Sequence, residues 1–280
     1  MGESKKAVKI FSFVIIIFLA IFIGVYFYLF FSSVVSAQLH IESGNVFVND
    51  ELKNENIKLK EGDLIETKEN SLATIILYES VVINLNSNTI ISLDELIKKH
   101  PKISQQKGET WNTFTKLSGV EGYDIQTGST IASVRATAFG FRGEYILGGE
   151  GVTDYLIGGK EFSVGVGDVI EKIGEEIIER KATAEELQKI RESIERSIEE
   201  LRFLREKEFQ KKPFLLSTIK KKTGMDEEEL RSYLEDIDNE LIDVDELAKQ
   251  SPIEISSITK IVEITKSIQE TKKKINELGK

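Results

Sequence analysis

Hydrophobic and polar positions follow three successive patterns along the chain. Across residues 10–35 no charged residue interrupts a run dominated by Ile, Val, Phe and Leu. Across residues 38–173 short apolar runs alternate with polar positions at a period of two, which predicts strands. Across residues 174–280 apolar positions recur at spacings of three, four or seven, which predicts helices. We therefore expect an α+β protein with an N-terminal transmembrane helix, an all-β domain and a C-terminal helical domain.

The first run predicts a membrane anchor. A helix needs about 20 apolar residues to cross a bilayer, and residues 10–35 exceed that length. Three lysines lie within residues 1–9, and no Lys or Arg follows the run before Lys53, so the charge bias keeps residues 1–9 in the cytoplasm. The alternative is a signal peptide cleaved after Ala37, but its apolar core would be unusually long. We expect a single-pass protein of the cell membrane, with an extracytoplasmic folded part.

The β segment is predicted to contain many short strands. Leu72–Leu77 is a β-rich run, and Val81–Leu85 alternates between its two faces. Glycine is dense in residues 140–167, where it suits the tight turns that short strands require.

The helical segment shows two capping boxes, in which the side chain before the helix and one in its first turn satisfy backbone amides. They are Thr183 with Glu186, and Asp226 with Glu229. The apolar stripes that follow need a covering surface. A helical bundle and a two-stranded coiled coil both provide one, and both stay open, as does self-association through the C-terminal helices.

The amino-acid composition argues against several classes of function. A net charge of -10 argues against general nucleic-acid binding. The chain has no cysteine, which excludes disulfides and thiol nucleophiles, and only two histidines. The acidic run at residues 236–245 has Leu241 where an EF-hand loop needs glycine, which favours a solvated loop. Because no catalytic constellation is present, we expect a protein that is not an enzyme and that has no cofactor and no metal.

Two stretches resemble the signatures of the FecR family. Residues 62–67 are Gly-Asp-Leu-Ile-Glu-Thr, and the family shows Gly-Asp-x-Ile-x-Thr. Residues 134–139 are Val-Arg-Ala-Thr-Ala-Phe, and the family shows Val-Arg-Gly-Thr-x-Phe, so Ala136 replaces a glycine. A second departure is Tyr78-Glu79-Ser80, where the family has Asp-Gly-Ser, which leaves the turn type open.

The resemblance spans roughly residues 44–170 and implies an extracytoplasmic β domain, solenoid-like or sandwich-like, without catalytic residues. Its signature residues are expected to be structural, and Arg135 to be paired, because a charge among apolar neighbours needs a partner. Family members that control sigma factors carry a sizeable cytoplasmic domain before the membrane helix, whereas about nine residues precede it here. The signature residues are Gly62, Asp63, Thr67, Val134, Arg135, Thr137 and Phe139.

Two functions are compatible with these observations. The first is a membrane-anchored binding, scaffold or signal-receiving protein whose partner is an envelope or surface protein or ligand. The second is a transmembrane regulator of gene expression that acts through a separate cytoplasmic partner.

Overall fold

A computed structural model describes residues 37–115, 119–128, 130–134, 138–210, 224–239 and 256–277, with the single residues Ser217, Lys221 and Val244. The predicted anchor at residues 10–35 lies outside this set. Within the set, no helix combines the length and the apolar character that crossing a membrane requires.

The described strands form two nine-stranded sheets, sheet I and sheet II. Sheet I has the order β18-β17-β14-β13-β10-β7-β6-β1-β4, and sheet II the order β16-β15-β12-β11-β9-β8-β5-β2-β3. The described pairs are antiparallel except for β9 with β11. The strands are β1 (Ala37–Ser43), β2 (Val46–Val48), β3 (Glu51–Lys53), β4 (Ile57–Leu59), β5 (Leu64–Thr67), β6 (Leu72–Leu77), β7 (Val81–Leu85), β8 (Ile90–Glu95), β9 (Lys102–Lys107), β10 (Thr110–Phe114), β11 (Tyr123–Thr127), β12 (Thr130–Val134), β13 (Ala138–Phe141), β14 (Tyr145–Glu150), β15 (Thr153–Ile157), β16 (Lys160–Val164), β17 (Asp168–Ile173) and β18 (Glu176–Lys181).

The two sheets pack face to face as a sandwich. One apolar cluster joins inward side chains of both, such as Ile75 and Phe139 from sheet I with Ile91 and Tyr123 from sheet II. The chain crosses between the sheets and advances along both in sequence order, apart from the exchanged positions of β1 with β4 and β2 with β3. The fold therefore has the two layers of a sandwich and the stepwise progression expected of a solenoid.

Each sheet runs between two rims of loops. We call the rim at which β1 begins the N-terminal rim, since Ala37 there pairs with Leu59 and Leu77 at the ends of β4 and β6. The opposite rim is the far rim. Described loop residues of the N-terminal rim are 49–50, 60–63, 78–80, 96–101, 115, 119–122, 151–152, 165–167 and 182–183, and those of the far rim are 44–45, 54–56, 68–71, 86–89, 108–109, 128, 142–144, 158–159 and 174–175.

Three helices follow the strands: α1 (Ala184–Gln210), α2 (Glu227–Asp238) and α3 (Ser256–Glu277). Both predicted capping boxes are present, because Glu186 N donates to Thr183 Oγ1 at 3.2 Å and Asp226 accepts from Glu229 N at 2.9 Å. The apolar stripe of α1 lies between the outer face of sheet I and α3. This second cluster contains Ile76, Trp111, Tyr145, Leu147 and Val169 of the sheet, Ile190, Ile194, Ile198, Leu201 and Leu204 of α1, and Ile264 and Ile268 of α3.

The change from strands to helices comes later than the predicted boundary at residue 174. β18 occupies Glu176–Lys181 and pairs with β17 along its whole length. Its two isoleucines are flanked by charged residues, as in the first turns of an amphipathic helix. The sequence pattern therefore does not separate this strand from the helix that follows.

Candidate binding face

The two outer faces of the sandwich have different environments. In sheet I both faces of the central strands are buried, as in β7 and β10, because α1 covers the outer face. In sheet II the strands alternate between buried and partly exposed positions, as in β5 and β12. We call the outer face of sheet II the open face.

The strand register arranges outward side chains of the open face in two rows. In the first row, Asp124 is opposite Ser133, Ser133 is opposite Asp154, and Asp154 is opposite Ser163. The second row runs from strand to strand through Gln126, Ile131, Leu156 and Glu161. Hydroxyls and carboxylates therefore lie beside a short aliphatic row.

Hydrogen bonds hold part of this face in fixed rotamers. Asp94 accepts from Ser92 Oγ at 2.7 Å and from the Ser104 hydroxyl, and Gln126 Nε2 donates to Ser104 Oγ at 3.0 Å. Asp124 accepts from Ser133 Oγ at 2.7 Å. Side chains ordered in advance lose less conformational entropy when a partner binds.

The same face also carries charge pairs. Lys102 Nζ is 3.0 Å from Glu95 Oε1, and this hydrogen bond raises the pKa of Lys102. His100 Nε2 is 3.0 Å from Asp124 Oδ1, a pair that is ionic only when the imidazole is protonated. The exposed pair of Lys102 and Glu95 contributes little to stability, so its charges remain available to an incoming group.

A depression of about 560 Å³ lies over β12, β15 and β16. Ile131 and Leu156 contribute aliphatic surface, and Asp154 and Glu161 stand exposed beside them. Neither carboxylate has a hydrogen bond or ion pair with a described residue. The arrangement suits a cationic group attached to an apolar stem, since it offers one carboxylate on each of two neighbouring strands and an aliphatic surface beside them.

The first signature segment shapes the turn before β5. Gly62 has φ +86°, a conformation that favours glycine, and its N–H donates to Leu93 O at 2.7 Å. Asp63 Oδ2 accepts from Lys60 N at 2.7 Å. Thr67 is buried, and its hydroxyl donates to Asn86 O at 2.6 Å.

The second signature segment is described only at its ends. Val134 and Phe139 are fully buried, and the Phe139 ring stacks on Tyr123 with centroids 6.3 Å apart. Arg135 and Thr137 lie outside the described residues, so the pairing expected for Arg135 remains a prediction.

Tyr78-Glu79-Ser80, which stands where the FecR family has Asp-Gly-Ser, forms a tight turn between β6 and β7. Tyr78 and Glu79 have φ +50° and +56° and occupy the two central positions of a β-turn that is closed by Ser80 N donating to Leu77 O at 2.9 Å. Glu79 is ion-paired with Lys260 of α3, which is also 3.2 Å from Glu208 of α1. A residue that is strained in the turn thus binds the helical segment to the sandwich.

Sequence reasoning missed one buried ionic cluster. Asp238, within the acidic run interpreted as a solvated loop, is fully buried and accepts from Arg202 and Arg205 of α1. That interpretation is wrong for Asp238, because helix docking places the last residue of α2 against α1. No local sequence signal distinguishes Asp238 from its exposed neighbours. Among the described residues, no group of three His, Asp or Glu side chains is arranged to hold a metal ion.

The comparisons with known proteins confirm the resemblance noted in the sequence. Residues 63–147 match the family model described as FecR protein. The match supports a role of the signalling or regulatory class. No match was found among the curated proteins.

Solved structures provide a weaker likeness. Two crystal structures of a candidate anti-sigma factor from Parabacteroides distasonis are each 14% identical to the chain, with a TM-score of 0.40. The likeness covers 45% of this chain and 62% of theirs, which is less than two thirds of their length. A likeness at this level carries no inference about function.

Proposed function

We propose that the chain is a single-pass membrane protein whose exported part binds a partner through the open face, as a signal receiver or scaffold without enzymatic activity. The observation that carries the proposal is the contrast between the two outer faces. The chain's own helix covers sheet I, whereas sheet II presents ordered polar rows and a depression. The match to the FecR family supports the signalling class of this function.

The chemistry of the open face favours a partner with cationic and aliphatic side chains. The carboxylates of Asp154 and Glu161 lack partners among the described residues, and the aliphatic side chains of Leu156 and Ile131 lie beside them in the same depression. Charge complementarity of this kind mainly sets specificity and the rate of association.

The anchor is supported by the apolar run at residues 10–35 and by the lysines that precede it. Protease added outside cells, with its access to the cell surface verified, should degrade the chain from the exported side. N-terminal sequencing of the mature protein tests the same proposal, and a chain that begins at Gln38 would contradict an uncleaved anchor.

The binding proposal is tested with the full chain in detergent and a labelled peptide of alternating lysine and leucine. Fluorescence anisotropy should report binding that is lost in the double variant Asp154→Lys/Glu161→Lys. The matched control is Glu176→Lys/Glu179→Lys, which makes the same charge change on the edge strand of sheet I and should bind like the original chain. Equal loss in both variants would mean that net charge, rather than the open face, governs binding.

A transmembrane regulator of gene expression is the second candidate, and the FecR match favours it. We propose that such a regulator would contact its cytoplasmic partner through residues 1–9, which the proposed topology places inside the cell. Replacement of these residues by an unrelated sequence that keeps the three lysines should then abolish a change in host gene expression, while insertion into the membrane persists. Unchanged expression after the replacement would contradict this candidate.

A further inference from the structure

We infer that the N-terminal rim of the sandwich is a membrane-contacting surface, with the exposed side chains Ile97, Val152 and Val166 seated in the lipid headgroup region. The inference rests on the proposed anchor, and it goes beyond it by assigning a second, non-covalent contact to the folded domain.

Exposed apolar side chains are concentrated on this rim. Of the six large apolar residues that are exposed among the described residues, three lie in its loops, with exposed fractions of 56% for Ile97, 59% for Val152 and 49% for Val166. The far rim has Ile173, which is 59% exposed, while Leu52 lies on edge strand β3 and Phe203 on α1. The three loops belong to different strand connections, so the topology, rather than one local sequence, brings them to one end.

The connectivity of the chain argues for a membrane as the surface that this rim contacts. Ala37 opens β1 at the N-terminal rim, and Ser36 alone separates it from residues 10–35. Two residue steps reach about 7 Å even when the chain is fully extended. The headgroup region on each side of the hydrocarbon core is about 5–8 Å thick. If residues 10–35 span the bilayer, loops at the level of Ala37 therefore lie within reach of the lipid headgroups.

The charges on this rim are mixed. Lys60 and Lys98 are exposed, and Lys99 Nζ is 2.9 Å from Glu121 Oε1. The acidic Glu61 is exposed in the same rim. Because positive and negative groups are both present, the contact should depend chiefly on apolar side chains and only weakly on anionic lipid.

Single cysteines test this inference well, because the chain contains none of its own. Full-length Val152→Cys and Ile97→Cys are labelled with an environment-sensitive fluorophore and reconstituted into phosphatidylcholine vesicles, with and without phosphatidylglycerol. The matched control is Ile173→Cys, which has the same exposed fraction as Val152 and lies on the far rim. Quenching by a nitroxide carried on lipid headgroups is compared with quenching by aqueous iodide, and alkaline carbonate extraction reports separately whether the chain is integrated.

The expected result is a blue-shifted emission at positions 97 and 152, strong quenching by the lipid nitroxide and loss of iodide quenching relative to position 173, in both lipid compositions. Equal iodide quenching at all three positions in an integrated chain would overturn the membrane contact and leave the anchor intact. Release of the chain by carbonate would overturn the anchor, and the inference with it.

Discussion

Arg205 and Asp238 form a buried, two-point ion pair between α1 and α2, with Arg205 Nη2 donating to Asp238 Oδ2 at 2.9 Å. Arg202 Nε donates to the same oxygen at 3.1 Å, and Arg205 Nη1 also donates to Thr265 Oγ1 of α3 at 3.2 Å. The Asp238 carboxylate therefore joins α2 to α1, Arg205 extends the network to α3, and both side chains are buried. Loss of either partner would leave a buried charge without compensation.

Substitution Asp238→Asn should destabilise the helical segment by about 3–5 kcal/mol, because two arginines lose their charged acceptor. Urea unfolding of the full chain in detergent, followed by circular dichroism at helical wavelengths, measures the effect. The control is Glu199→Gln, whose side chain is 69% exposed and pairs with Arg202 at 2.6 Å. This exposed pair should cost less than about 1 kcal/mol. If Asp238→Asn lost no more stability than Glu199→Gln, the result would contradict a stabilising role for the buried cluster.

Acid should loosen the start of α1. The Arg180 guanidinium holds the pKa of the Glu186 carboxyl well below its usual range, with further hydrogen bonds from Thr183 and Tyr145. A glutamate in the unfolded chain has a pKa of about 4.3, so around that pH the folded state binds fewer protons than the unfolded state. The stabilisation is therefore complete above that value and is lost as the pH falls below it.

Tryptophan fluorescence measures this transition, since Trp111 is the only tryptophan and lies in the cluster that α1 covers. We expect a red shift on acidification, and in Glu186→Gln a loss of about 1.5–3 kcal/mol of stability at neutral pH with a flatter pH profile. The adjacent Glu185→Gln is the control, because its side chain is 82% exposed. An identical pH profile in both variants would exclude Glu186 as the acid-sensitive group.

The turn at Tyr78-Glu79 provides a test of stored strain. Glu79→Gly and Glu79→Ala both remove the ion pair with Lys260, but glycine accepts φ +56° without steric cost whereas alanine does not. The glycine variant should be more stable by about 1 kcal/mol in urea unfolding. Lys260→Met leaves the turn unchanged and removes the contacts of Lys260 with both Glu79 and Glu208, so it gives an upper bound on the contribution of the Glu79 pair. Equal stability of the glycine and alanine variants would argue against strain at this position.

The signature threonine should act through its hydroxyl. Thr67 Oγ1 donates to Asn86 O at 2.6 Å and accepts from Thr89 N at 3.0 Å, in a buried position. Thr67→Val should therefore cost about 1–3 kcal/mol in thermal or urea unfolding, because both backbone groups lose their partner. Thr67→Ser keeps the hydroxyl and should recover most of the loss. A serine variant as unstable as the valine variant would show that the methyl group matters instead.

Local sequence patterns predict the elements whose interacting residues lie near one another in the sequence. The capping box at Thr183 and the apolar stripe of α1 follow directly from residue spacing. The surroundings of a strand are harder to predict from the sequence. Asn84 in β7 is polar yet fully buried, since its side chain donates to Ser197 of α1 at 3.3 Å, a contact made across 113 residues. Sequence alone cannot state which face of a sheet a later helix will cover.

The open face shows the same limit. Asp154 and Glu161 are seven residues apart in the chain, and nothing in their local sequence marks them. They share one depression because β15 and β16 pair with Asp154 opposite Ser163 and Leu156 opposite Glu161. A site that depends on register emerges only after the strands are paired.

If the folded part is exported as proposed, beginning with residue 37, the in-order advance of strands along both sheets has a consequence for its folding. Each new strand meets a neighbour that has already left the membrane, so the sheets can grow by templated addition without waiting for distant sequence. Exposed strand edges would then be short-lived during secretion, which limits aggregation. α1 emerges only after β18, and its docking on sheet I closes the assembly once all the strands are in place.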